Sequence, residues 1–208
     1  MVQKLYFVRH AESEANVQDV LAGQLDYPLS EKGRQDAWQV AIEFHRMSPV
    51  QYIFSSPLER ALQTAEMFAA LAGVAIQQNR CLLEQNLGRF SGMTYADVSK
   101  EDGYEHDRGK RWHWIPEGGG ESYMMLAQRL RPFFSGLRHL PDNADVLIVT
   151  HAVTMRIIRA LLENTIPQYP LEIARNSEIW QTAFRGLGTP HKITSILLGD
   201  AKNTAHRA

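Results

Sequence analysis

The sequence predicts an α/β fold: a sheet of short buried strands with helices on both faces. Three observations carry that prediction. Continuous apolar runs, such as Leu5, Tyr6, Phe7 and Val8 or Val146, Leu147, Ile148 and Val149, read as buried parallel strands. Each of these runs stops abruptly, the first at Arg9-His10 and the second at Thr150-His151. Between such runs, apolar residues recur at helical spacing.

The elements follow in order. After the first strand comes a polar stretch with turn signals at Gly23 and Asp26-Tyr27-Pro28. Ser30 is the expected N-cap of a helix carrying Ala37, Val40, Ala41 and Phe44 on one face. Tyr52, Ile53 and Phe54 form a second strand. Ser56-Pro57-Leu58-Glu59 then predicts a helix start, with Ser56 as N-cap, Pro57 at N1 and Glu59 closing a capping box. That helix should run to about Ala72 and stop at Gly73. A third strand is expected over 74–77.

Residues 79–120 are the least regular and hold seven of the 14 glycines, which reads as an insertion folded over a site. A helical pattern returns from Glu121 to about Leu140, with Leu126, Leu130, Phe133, Phe134 and Leu137 as core positions. Pro132 should kink or break it. After the strand ending at Val149, a helix continues through Met155, Ile158, Arg159 and Leu162. Two more strands are expected near 179–184 and 193–198, with a polar, mobile tail from about Gly199.

Composition narrows the function. The 208 residues, 44% hydrophobic and 22% charged, suit one soluble globular domain over 1–208. A net charge of −1 provides no global basic field, which argues against a nucleic-acid partner. Cys81 is the single cysteine, so an intramolecular disulfide and a cysteine zinc cluster are excluded. That usage suits a reducing cytoplasm. The first apolar run is too short for a signal peptide, and no run approaches a membrane span. Nothing in the sequence fixes an oligomeric state.

In α/β sheets, ligands bind beyond the carboxyl ends of the strands. The residues to examine are therefore Arg9-His10, Ser55-Ser56 with Arg60 one turn on, and Thr150-His151. Two imidazoles and two guanidiniums converging there would make an anion pocket suited to phosphate oxygens. The N-terminal amides of the helix after His151 could add donors.

These residues also carry a resemblance. The run from Leu5 to Ser13 contains Arg9-His10-Ala11 and resembles the Arg-His-Gly motif of the histidine phosphatase superfamily, which includes the cofactor-dependent phosphoglycerate mutases. The resemblance continues through 23–33, then Ser55-Ser56-Pro57-Leu58-Glu59-Arg60-Ala61 with Thr64-Ala65, then Leu83-Glu84 with Gly88 and Gly92. Residues 116–122 and Val149-Thr150-His151 complete six blocks in the family's order. The family usually has Gly after each histidine, where this chain has Ala11 and Ala152.

The resemblance implies a three-layer α/β/α sandwich, phosphoglycerate mutase-like, with a mostly parallel central sheet, one antiparallel strand and a lid inserted at about 79–123. It implies His10 as a nucleophile forming a phosphohistidine. Arg9, Arg60 and His151 would bind the phosphoryl group, and Glu84 would be the acid and base. Asn16 and the Ala152 amide would be secondary phosphate contacts. No metal and no cofactor are expected, because the cationic side chains would neutralise the phosphate.

Glu12 is a second proton-handling carboxylate, an orienter of an arginine, or neither. Arg60 read alone could pair with Glu59 or Glu66. The stretch Arg108-Gly109-Lys110-Arg111-Trp112-His113-Trp114 is either a lid of cations and aromatic walls or a solvated loop with two tryptophans on the core. His106 and His113 lack metal-ligand spacing.

Glu84 and His151 are 67 positions apart, shorter than the same interval in the phosphoglycerate mutases. This favours the phosphatase branch: a histidine acid-type phosphatase acting on a small phosphorylated metabolite. The alternatives are mutase-type phosphoryl transfer, a non-catalytic phosphate-binding regulatory module, and a protein phosphatase.

Overall fold

The structure, a computed structural model, describes residues 3–199, so the tail expected beyond Gly199 lies outside the described residues. In chain order the elements are β1 (Gln3–Arg9), α1 (Glu14–Val17), α2 (Glu31–Met47), β2 (Tyr52–Ser55), α3 (Glu59–Ala72), β3 (Ile76–Gln78), α4 (Tyr95–Val98), α5 (Tyr123–Gly136), β4 (Asp145–Thr150), α6 (Ala152–Leu162), β5 (Ile179–Phe184) and β6 (Thr194–Leu197). The six strands form one sheet in the order β3-β2-β4-β1-β5-β6. The first four are parallel, β5 runs antiparallel to β1, and β6 antiparallel to β5.

The apolar runs of β1 and β4 are explained by their central place. Side chains alternate between faces along a strand, and both faces here are covered. Leu5, Phe7, Val146 and Ile148 pack with α5 and α6 in one core cluster. Tyr6, Val8, Leu147 and Val149 pack with α2 and α3 in the other. The result is the three-layer arrangement predicted from the resemblance. No helix of the described residues is long and apolar enough to cross a membrane.

Local chemistry departs from the sequence reading in three places. Helix α3 starts at Glu59 with Leu58 as its cap residue and no side-chain cap, so the Ser56 capping box does not form. The Ser56 hydroxyl is instead within reach of a histidine described below. Helix α5 is capped by Ser122 and passes through Pro132 to Gly136 without ending there. Strand β3 is displaced from the expected 74–77 to 76–78. Ser30 does cap α2, its hydroxyl accepting from the Gly33 amide at 2.9 Å.

One glycine sets how closely α2 approaches β1. A Cβ on Gly33 would lie 1.9 Å from the Glu12 carbonyl oxygen. Only a residue without a side chain lets the helix start pack against the segment after His10.

Candidate active site

Parallel pairing brings the carboxyl ends of β1, β2 and β4 together. Arg9 is in register with Thr150, and Ser55 with Val149. The His10 amide donates to the Thr150 carbonyl at 2.9 Å, and the Ser56 amide to the Val149 carbonyl at 3.0 Å. The His10 and His151 rings consequently sit with centroids 5.2 Å apart.

A cavity of about 60 Å³ opens at this edge. Arg9, His10, Asn16, Arg60, Glu84 and Ala152 all line it. His151 does not; it is fully buried beside the His10 ring. Glu12 also stands apart, its Oε1 accepting from the Ser30 hydroxyl at 2.7 Å. Its carboxylate therefore serves the start of α2.

His10 Nδ1 lies 2.7 Å from the Ala11 carbonyl oxygen. A carbonyl only accepts, so Nδ1 carries the proton and the neutral ring keeps its lone pair at Nε2. The backbone around it is fixed. Asn176 Nδ2 donates to the His10 carbonyl at 2.9 Å, and the Ala11 amide donates to Thr64 Oγ1 at 3.1 Å. Neither Ala11 nor Ala152 has a positive φ, so alanine is unstrained at both places. The Ala11 methyl packs with Leu29 and Ala37.

Both arginines are buried and oriented by backbone carbonyls. Arg9 Nη1 donates to Ala174 at 2.8 Å. Arg60 donates from Nη1 to Leu25 and from Nη2 to Gly23, each at 2.8 Å. Burial lowers the Arg60 pKa, partly offset by Glu84 and Asp26. A guanidinium remains charged under such conditions.

His151 is held neutral. Burial pushes its pKa well below the ordinary 6.5, and the charges of Arg60, Arg9 and Arg129 push the same way. Its Nε2 lies 2.7 Å from Ser56 Oγ, and its buried Nδ1 has no partner. Ser56 Oγ also accepts from the Leu58 amide at 3.4 Å. The arrangement that leaves no hydroxyl proton unbonded has Ser56 donating to Nε2. The ring proton then sits on the buried Nδ1.

Glu84 caps α6 from outside the helix. Oε1 accepts from the Thr154 amide at 3.0 Å, the Thr154 hydroxyl at 3.1 Å and the Gln85 amide at 2.9 Å. Oε2 accepts from Val153 at 3.1 Å, so it retains acceptor capacity. The Ala152 amide, at the first position of the helix, has no intrahelical partner. It remains for an anion in the cavity that Ala152 lines. Arg129 braces the segment leading to Glu84. It grips Glu121 with two bonds of 2.8 Å and donates to the Cys81 and Leu83 carbonyls at 2.7 and 3.1 Å.

Sequence reasoning missed Thr154, Arg129 and Asn176 as parts of this site, and placed Ser56 at the right strand end but gave it only a capping role. Ser56 carried a signal that pointed instead to a cap. Asn176 carried none, because it comes from the loop before β5. Among the described residues, no three of His, Cys, Asp and Glu group as metal ligands. Trp112 is in the core, whereas Trp114 lines a neighbouring chamber.

Comparison with known proteins agrees with this geometry. Residues 5–185 match the family model of the histidine phosphatase superfamily, branch 1. Phosphoserine phosphatase 1 of Hydrogenobacter thermophilus is 34% identical over 163 residues, covering 76% of this chain and 75% of that protein. Phosphoglycerate mutase-like protein 4 of Arabidopsis thaliana is 30% identical over 167 residues, covering 79% and 71%. Among solved structures, the native mycobacterial glucosyl-3-phosphoglycerate phosphatase superposes with a TM-score of 0.82 at 26% identity, covering 97% of this chain and 100% of that one. The two histidines at adjacent strand ends, the buried arginines and the match over most of the sequence agree: this chain belongs to the histidine phosphatase superfamily, branch 1.

Proposed function

We propose that this protein is a phosphomonoester hydrolase that works through a phosphohistidine on His10 without a metal ion. The observation that carries the reading is the 2.7 Å contact from His10 Nδ1 to the Ala11 carbonyl. It leaves Nε2 as the nucleophile of a residue lining a cavity with two buried guanidiniums.

In the first half-reaction Nε2 attacks phosphorus, the N–P bond forms and the ester P–O bond breaks. Arg9, Arg60, Asn16 and the Ala152 amide donate to the non-bridging oxygens as charge spreads over them, with His151 Nδ1–H as a further donor. Glu84 protonates the leaving oxygen. In the second half a water attacks phosphorus, Glu84 takes its proton and the N–P bond breaks. The products are the alcohol and inorganic phosphate. The substrate is a small phosphorylated metabolite, and the 79–123 segment covers the site within a single domain. Hydrolysis is favoured over mutase transfer by the 67-position interval between Glu84 and His151.

The test is hydrolysis of p-nitrophenyl phosphate in EDTA by the wild type and His10→Ala. Turnover that persists in EDTA and vanishes in the variant is expected. A rapid alkaline quench should trap one acid-labile phosphoryl group on the wild type alone. Turnover unaffected by His10→Ala would overturn the phosphohistidine. Interconversion of 3- and 2-phosphoglycerate far faster than phosphate release would make it a mutase.

A further inference from the structure

Strand β5 runs antiparallel to β1, so the turn that precedes it lies at the carboxyl end of β1, beside Arg9 and His10. That turn, residues 174–178, holds the strand end at three points. The Ala174 carbonyl accepts from Arg9 Nη1 at 2.8 Å. Asn176 Nδ2 donates to the His10 carbonyl at 2.9 Å and to Asn16 Oδ1 at 3.2 Å. The Ser177 amide donates to the Arg9 carbonyl at 3.1 Å. One short segment thus grips Arg9, His10 and Asn16, all of which line the inner cavity.

The turn is costly by itself. Ser177 has φ 60°, a left-handed backbone that a residue with a side chain seldom adopts. Its buried hydroxyl has no hydrogen-bond partner among the described residues, which adds to the cost. Strained backbone persists where its surroundings over-determine it. Here one buried carboxylate does so. Glu178 Oε2 accepts from the Arg175 amide at 2.7 Å and closes the turn, beside the bond from the Glu178 amide to the Arg175 carbonyl. Oε1 accepts from Trp180 Nε1 on β5 and from Ser195 Oγ on β6, each at 2.7 Å. Among the described residues no ion pair involves Glu178, so its bonds go to neutral donors of the turn and the two strands.

We propose that Glu178 is a positioning residue for phosphoryl transfer. Its carboxylate braces the 174–178 turn against β5 and β6, and the turn fixes Arg9, His10 and Asn16. This role rests on the phosphomonoesterase reading of His10. Glu178 does not line the cavity, so it acts through the turn and touches no reacting atom.

The experiment replaces Glu178 by Gln and by Ala, each alone and together with Asn176→Ala. Both substitutions remove the same charge, but Gln keeps an acceptor and nearly the same shape. Calorimetry reads the affinity for inorganic phosphate, p-nitrophenyl phosphate hydrolysis gives kcat and KM, and circular dichroism checks folding at the assay temperature. Loss of a negative charge alone would tighten phosphate binding. Loss of positioning weakens it, so Glu178→Ala should bind phosphate about three- to tenfold more weakly and lose roughly ten- to a hundredfold in kcat. Glu178→Gln should recover part of both losses, since its one oxygen cannot serve Arg175 and the Trp180–Ser195 pair together. On the Asn176→Ala background, Glu178→Ala should cost much less kcat than in the wild type, because the two act through one turn.

An unchanged or tighter phosphate affinity in folded Glu178→Ala would overturn the role, as would losses that multiply fully with those of Asn176→Ala. If Glu178→Ala does not fold, Glu178→Gln carries the same test: weaker phosphate binding supports the role, and unchanged or tighter binding overturns it. The phosphate measurement needs no turnover. It is therefore separate from the parent reading, which fails if hydrolysis survives His10→Ala.

Discussion

Ser56 Oγ lies 2.7 Å from His151 Nε2 across 95 positions of sequence, and a hydroxyl that donates there leaves the ring proton on Nδ1. Ser56→Ala removes the partner and leaves a buried imidazole nitrogen unsatisfied. We expect kcat on p-nitrophenyl phosphate to fall roughly five- to tenfold with a smaller change in KM, the scale of one hydrogen bond. Urea denaturation should show a loss of about 1–3 kcal/mol. Unchanged kcat would mean that the tautomer of His151 does not matter.

The same contact shows where the sequence was legible. Buried strands announce themselves by apolar runs, and the polar residues ending them meet at one edge of the sheet. The Ser56 hydroxyl had two suitors: amides two or three residues away, and an imidazole from another strand. Only the second depends on tertiary pairing, so local pattern favoured the first. Glu12 shows the converse, since a carboxylate two places after His10 looks catalytic in sequence but bonds to the Ser30 hydroxyl at the start of α2.

Glu84 holds the start of α6 and, in the proposed reaction, moves a proton; substitutions separate the two. Glu84→Gln keeps an oxygen for the α6 amides but cannot exchange a proton. It should lose about 10²- to 10⁴-fold in kcat with little change in stability. The loss should be larger for an alkyl phosphate than for p-nitrophenyl phosphate, whose leaving oxygen scarcely needs a proton. Glu84→Ala should lose similar activity and a further ~1 kcal/mol, the worth of a helix cap. Equal small losses for both substrates would remove Glu84 from proton transfer.

His151 predicts how stability changes with pH. Its folded pKa is depressed below 6.5, first by burial and then by nearby positive charge. The unfolded chain therefore binds the proton more readily. The stabilisation is full above about pH 6.5, shrinks as pH falls below that, and is lost as pH falls through the folded value. The slope contributed is at most about 1.4 kcal/mol per pH unit. Urea midpoints between pH 7 and 5 should fall more steeply for the wild type than for His151→Asn. Identical slopes would show that His151 is not the group responsible.

Gly33→Ala sets helix propensity against packing. Alanine would favour α2 by about 1 kcal/mol in an exposed helix interior. Here the added Cβ would meet the Glu12 carbonyl oxygen at 1.9 Å. Shifting the helix start should cost about 1–3 kcal/mol and win over propensity. Thermal denaturation should show a lower Tm, with reduced activity because Glu12 is two residues from His10. A raised Tm would contradict the close approach.

The pairing of β1 with β4 has a consequence for the life of the chain. Arg9 and His10 are synthesised early, but the strand that sets their register, the histidine beside them and Asn176, which fixes the His10 carbonyl, all come late. A half-made chain on the ribosome therefore holds a histidine with no assembled pocket and is chemically silent. In the proposed reaction turnover begins only when the sheet closes, so its onset during refolding would time the completion of the topology.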